Sequence, residues 1–355
     1  MTMRADVRFL DRATPPHIAT LILMVGASAL AMNVFLPSLP NMAQHFATDY
    51  RVMQLSVALY LGVSGALQLV IGPLSDRFGR RPVLLGGFGL YLVATLGCIY
   101  APTAEAFLAF RMAQATIVVG MVLSRAIVRD MVPQDEAASM IGWVTMGMAI
   151  VPMLGPAVGG VLDEAFGWQA NFWLQIGVGL GVIWLIWSDV GETGAIGAGS
   201  FRSQFHDLPE LVRSRRFWGY ALAAAFSSGA FFAYLGGAPF VGSEVFGLSP
   251  ALLGIFFGAP AVGYAIGNGL SGRYSVRYGI NRMILSGTVL TFAGLLTSLL
   301  VFLLGAGSAV VFFGFTTFVG LGNGLVLPNA TAGMLSVRPH LAGTASGIGG
   351  AFMIG

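Results

Sequence analysis

Arg111 carries the most conspicuous chemistry in this sequence: a permanently charged guanidinium inside a run of apolar residues, with Gln114 one helical turn on, on the same face. A cation in such a place either faces a cavity or a partner, or extends to the membrane edge. The second alternative is open, because the run starts near Glu105 and puts Arg111 only about 9 Å along the helix at 1.5 Å per residue. Covalent chemistry finds little support. His17, His45, His206 and His340 lie in loops or near the ends of apolar runs, with no HExxH pattern, and the single cysteine, Cys98, sits in an apolar stretch where it packs as a small hydrophobe. Metal or nucleophilic catalysis is therefore not expected, and neither an enzyme activity nor a cofactor is read from these residues.

The elements that must hold Arg111 are helices in lipid. Of the 355 residues 56% are apolar and 9% charged, with a mean hydropathy of +0.81, against roughly a quarter charged in an ordinary soluble domain. Apolar segments of spanning length run at 17–39, 52–74, 83–101, 104–127, 136–161, 170–190, 216–240, 249–271, 283–304 and 307–330. An eleventh opens near Leu341 and the sequence stops within it, so about forty further residues are expected. All 18 basic residues are arginine. With the N-terminus inside, nearly all of them fall in inner segments, which fixes the expected orientation as N-terminus cytoplasmic. A net charge of +3 is too small for a nucleic-acid polycation.

The chain also repeats itself. Gly72, Ser75, Arg77 and Gly79 recur 200 residues later as Gly272, Ser275, Arg277 and Gly279, and Thr116, Val119 and Gly120 recur as Thr316, Val319 and Gly320. The expected organisation is an N-terminal six-helix half at 1–190, a cytoplasmic linker at 191–215 and an incomplete C-terminal half at 216–355. A parallel pseudo-repeat of this kind places a binding cavity between the halves near the midplane.

The segment after the second run reads Gly72-Pro-Leu-Ser-Asp76-Arg77-Phe-Gly79-Arg80-Arg81. It resembles the signature loop of the major facilitator superfamily, and the resemblance covers nearly the whole chain. It implies an all-α membrane protein with two six-helix bundles, and a latch that closes the cytoplasmic side. Gly72 is expected to permit close helix approach, Asp76 to meet the positive end of a helix and Arg80 to pair with carboxylates. A topology loop with a helix cap explains the arginines but not Asp76 between two glycines.

In the fifth run, Gly147 and the ordered Gly155-Pro156-x-x-Gly159-Gly160 resemble the antiporter motif of drug-exporting branches; ordinary glycine packing of helices is the alternative. In the same family Arg111 followed by Gln114 is associated with proton coupling. Asn33-Val-Phe-Leu-Pro-Ser-Leu-Pro resembles the bicyclomycin-resistance branch, where an aspartate commonly stands at the place of Asn33. An amide takes up no proton near neutral pH, and no carboxylate occupies the middle of any run.

Cavity residues are expected among Asn33, the row Tyr60, Ser64 and Gln68, then Phe231, Phe232 and Tyr234, and Asn323. The function implied is a bacterial inner-membrane exporter of small amphiphilic molecules, a monomer exchanging substrate for protons by alternating access. Without a midplane carboxylate, neutral or acidic cargo is favoured over lipophilic cations. An uncoupled facilitator or an importer of the same fold is the other reading, favoured by Asn33.

Overall fold

A computed structural model of the chain describes residues 7–132, 140, 144, 151, 154–194, 211, 213–337, 348–350 and 352–353. Among the described residues nine helical segments are long and apolar enough to cross a membrane. They are Ile18–His45, Tyr50–Phe78, Arg80–Ile99, Ala104–Met131, Gln169–Asp189, Arg215–Val245, Pro250–Tyr278, Ile280–Leu303 and Ala309–Val337, matching the first to fourth and sixth to tenth expected spans. Most of the fifth lies outside the described residues, although 154–166 is helical. The expected eleventh span from Leu341 and most of the 191–215 linker also lie outside them.

The helices outrun the apolar segments. Backbone hydrogen bonding inside a helix does not stop where the side chains turn polar, so the second span continues to Phe78 and the first, through a 3-10 turn at Leu36–Ser38, to His45. The expected loop after the second span is thereby reduced to one residue. Gly79, at φ 97°, ends the second span and begins the third, its N–H donating to the Ser75 carbonyl at 2.9 Å. Gly279, at φ 81°, does the same between Tyr278 and Ile280, bonding Ser275 at 2.9 Å. Only glycine takes such a backbone without strain, so the sequence repeat is a repeat of this joint.

Outward faces are apolar, with Trp184, Trp187, Phe226, Phe292 and Leu303 all exposed, as lipid contact requires. The two halves are tied together at the ends remote from Gly79 and Gly279, which are the outer ends in the orientation the arginines imply. There Phe35, Leu36, Leu39 and Tyr60 share one apolar cluster with Tyr234, Leu253, Phe257 and Phe313. Tyr50 and Gln54 both donate to the Gly236 carbonyl, at 3.1 and 2.8 Å.

Candidate functional site

Arg111 does not reach the membrane edge. It is 0% exposed, which removes the snorkelling alternative. Its guanidinium lies between two rings, 4.3 Å from the Phe35 centroid and 4.0 Å from that of Tyr60. Nη1 donates to Gln114 Oε1 at 2.8 Å and Nε to the Ser56 carbonyl at 3.3 Å, while Nη2 has no partner. Gln114 is held in turn: its Nε2 donates to Thr95 Oγ1 at 2.8 Å and to Gln175 Oε1 at 3.4 Å, and Gln175 also accepts from Tyr91 at 3.1 Å. Helix spacing accounts for the Arg111–Gln114 bond; the fourth span then tightens into a 3-10 turn at Ala115–Ile117.

No carboxylate pairs with this cation among the described residues, where both ion pairs belong to Arg80. Two stacked rings each contribute about 2 kcal/mol when desolvated, which offsets part of the cost of burying the charge. The site is therefore a positively charged, aromatic-walled position whose Nη2 donors are unused, suited to a carbonyl, hydroxyl or anionic oxygen.

The other expected cavity residues are brought together in part. Tyr60 and Tyr234 are buried in the shared apolar cluster, with Phe231 and Phe232 packed against it; Phe231 stacks on Tyr234 at 6.4 Å. Ser64 is buried with its hydroxyl unpartnered, and Asn323 accepts from Ser227. Asn33 donates to the Ala29 carbonyl of its own helix at 2.7 Å, and its Oδ1 has no partner. A cleft of about 310 Å³ lies away from all of them, between Arg216, Tyr220 and Asn281 at the inner end of the seventh and ninth spans.

The glycines of the fifth span divide by what they touch. A methyl on Gly155 meets Leu30 at an ordinary 3.7 Å, whereas one on Gly159 falls 1.7 Å from the Val34 carbonyl and one on Gly160 falls 2.0 Å from the Pro250 carbonyl of the other half. Gly254 returns the contact, its Cβ position 2.3 Å from the Pro156 carbonyl. Gly147 lies outside the described residues.

At the inner end the signature segment is held together by Arg80. Arg80 pairs with Asp76, one turn back, and with Asp130 of the fourth span at 3.2 Å, and it also donates to Ser75. Asp76 is thus occupied by Arg80, and no helix N–H donates to it among the described residues. The positive end of the third span is met by Glu192, which accepts from the N–H of Arg80 at 2.6 Å and of Arg81 at 3.3 Å. Arg81 lies 4.8 Å over the Trp187 ring, and Arg77 stacks on Phe78 at 5.3 Å without an ion pair among the described residues. A Cβ built on Gly72 meets nothing within 4 Å among the described residues. Glu192→Ala is expected to cost about 1 kcal/mol through the lost cap, read as a lower midpoint in a thermal scan of the detergent-solubilised protein, with Glu192→Gln falling between.

Phe35, Ser56, Thr95, Gln175 and Glu192 complete these sites without standing out in the sequence. Only Gln175, a polar residue inside an apolar run, carries a signal.

A family model described as Major Facilitator Superfamily matches residues 21–355. The chain is 31% identical over 329 residues to the chloramphenicol resistance protein of Pseudomonas aeruginosa, an alignment covering 90% of this chain and 77% of that one. It is 26% identical over 350 residues to the bicyclomycin resistance protein homolog of Haemophilus influenzae, covering 95% and 86%. In fold it is similar to a bacterial homolog of the human lysosomal transporter Spinster, solved in an inward-facing and occupied conformation: TM-score 0.75, 17% identity, 95% of this chain and 78% of that one.

Proposed function

The chain belongs to the Major Facilitator Superfamily, and from that premise we propose that it exports small amphiphilic compounds in exchange for protons, by alternating access of two helical halves in the bacterial inner membrane. The observation that carries this reading is Arg111, fully buried, stacked between Phe35 and Tyr60, with Nη2 unpartnered and no carboxylate partner among the described residues. A cation so placed favours neutral or acidic cargo bearing an oxygen acceptor. Chloramphenicol, for which the Pseudomonas relative is named, is neutral and fits that class. The arginine distribution supports a cytoplasmic N-terminus. The contacts at the outer ends, Gly160 against Pro250 and Tyr50 against Gly236, support a gate there that opens as the halves rock, with the chain working as a monomer.

Everted membrane vesicles carrying the protein test this. Chloramphenicol, an anionic amphiphile and a quaternary cation are added in turn, and proton release from the vesicle interior is followed. We expect proton movement with the first two, lost in Arg111→Ala. Substrate movement without protons would sink antiport and favour the facilitator, for which Asn33, a non-titrating amide with an unpartnered Oδ1, is the specific support.

A further inference from the structure

Exchange against protons needs a group that binds them, and Asn33 does not. Among the described residues the buried carboxylates are Asp163 and Asp189, and their surroundings differ. Asp189 accepts from the N–H of Leu10 at 2.8 Å, the N–H of His17 at 2.9 Å and the hydroxyl of Thr20 at 2.6 Å. Three donors fill its acceptor sites and tie the N-terminal arm to the sixth span. Asp163 is 5% exposed and lies two residues past the fifth apolar segment, at the outer end. Its Oδ2 accepts from Asn41 Nδ2 at 2.8 Å, its Oδ1 has no partner, and no cation forms an ion pair with it among the described residues. Burial raises its carboxyl above the ordinary range; the nearby Ser38 hydroxyl and the Asn41 hydrogen bond oppose the rise, and neighbouring Glu164 adds to it.

Two further features connect this carboxyl to transport. Gly160, three residues back on the same helix, touches the other half at Pro250, and Glu164 accepts from the Ala251 N–H at 3.2 Å, so Asp163 sits beside the contact that must break when the outer end opens. Inward, a line of buried polar groups leads to Arg111. Asn171 donates to Ser38 at 2.9 Å and to the Gly159 carbonyl at 3.2 Å. One turn along the sixth span Gln175 accepts from Gln114, which holds Arg111. Asp163 Oδ1 and Asn171 Oδ1 are acceptors without donors, and Trp168 Nε1 and Gln175 Nε2 donors without acceptors. Unsatisfied atoms this deep mark where a proton or water completes a network.

We propose that Asp163 is the proton-binding group of the outer gate, joined to the Arg111 site by the buried polar line along the sixth span; this rests on the proton-coupled reading above. With the outer ends together the carboxyl is neutral: the proton removes a buried charge and makes the group a donor. Substrate taken up from the inner side displaces that proton inward along the polar line past Arg111; the charged carboxylate favours parting of the outer ends, and once hydrated it takes a new proton from outer water before closure, so one proton passes from outside to inside per cycle. Acid outside therefore favours the closed gate and alkali the open one. The titratable groups around it are Glu164 on its own helix and, on the Asn41 helix, His45 one turn beyond, whose ring packs on Trp168 at 5.3 Å. Asn171 and Trp168 from the sixth span, Ser38 from the first, and the Pro250–Ala251 backbone of the other half bring no charge.

Infrared spectroscopy of the purified protein in detergent, from about pH 6 to 9, reads the C=O stretch of a protonated carboxylic acid where ordinary carboxyls are ionised. We expect such a band in the parent, its retention in Asp163→Glu and its loss in an Asp163→Asn protein that still elutes as one species. In everted vesicles, chloramphenicol-driven proton release should fall to background in Asp163→Asn. A parent without the band, or a band that survives Asp163→Asn, overturns the assignment. Coupled export unchanged in Asp163→Asn also overturns it while leaving antiport intact. Uncoupled chloramphenicol movement in a parent that shows the band overturns antiport and leaves Asp163 as a proton site of the gate.

Discussion

Arg111→Met is expected to abolish export and to leave the protein at least as resistant to heat as the parent. Removing the guanidinium forfeits two ring contacts and two hydrogen bonds. It also removes an unpaired charge from a fully buried site, and the desolvation cost of such a charge is several kcal/mol. One acceptor, Gln114 Oε1, loses its donor, at about 1–3 kcal/mol; the Ser56 carbonyl remains in a helix. Methionine fills similar space and packs well on aromatic faces. The two readouts therefore separate: transport in everted vesicles drops to background while the unfolding midpoint holds or rises. Arg111→Lys should restore little, about a tenth of parent activity or less, because an ammonium cannot lie flat between Phe35 and Tyr60 while reaching Gln114. A marked fall in the unfolding midpoint for Arg111→Met would make the arginine a structural pillar and remove the main support for a binding role.

The second large effect belongs to Gly160. A methyl there falls 2.0 Å from the Pro250 carbonyl oxygen and 2.7 Å from its carbon, backbone atoms that yield only if the halves separate. Gly160→Ala should cut export by more than about tenfold with little loss of folded protein, since within its own half the residue gains one methyl and the clash vanishes once the outer ends part. Gly155→Ala, with its nearest neighbour at 3.7 Å, is the matched control and should transport as the parent does. A membrane-impermeant thiol reagent distinguishes the outcomes: Cys98 is buried, so a cysteine placed by Ala251→Cys reports alone, and Gly160→Ala should raise its labelling. Unchanged labelling together with full export would dissociate the glycine pair from closure.

What is legible in the sequence, and what is hidden, follows from the reach of each interaction. Helices are read nearly span for span because an apolar run of membrane length leaves the backbone one way to satisfy itself. The repeat of Gly79 at Gly279 is legible in register, but it reads as a loop where the structure has a one-residue joint. Arg111 is legible because a charge in an apolar run is rare. The partners of the signature segment are not legible, because spacing along a chain says which residues share a face, not what stands opposite. Asp76 is taken by Arg80 from its own chain neighbourhood, and the start of the third span is capped by Glu192, 112 residues from Arg80. Asp163 escapes notice because it lies just outside an apolar run, where a carboxylate is unremarked until the fold closes around it.

The joints at Gly79 and Gly279 limit how such a chain can change length. At each, one helix ends and the next begins across a single residue. Inserting or deleting one residue there turns the whole following helix by about 100° about its axis, and every packing face of the third or ninth span is lost together. Variation in length is therefore expected at the outer turns, such as the stretch from Phe46 to Asp49, while the inner joints stay fixed in count even where side chains around them change.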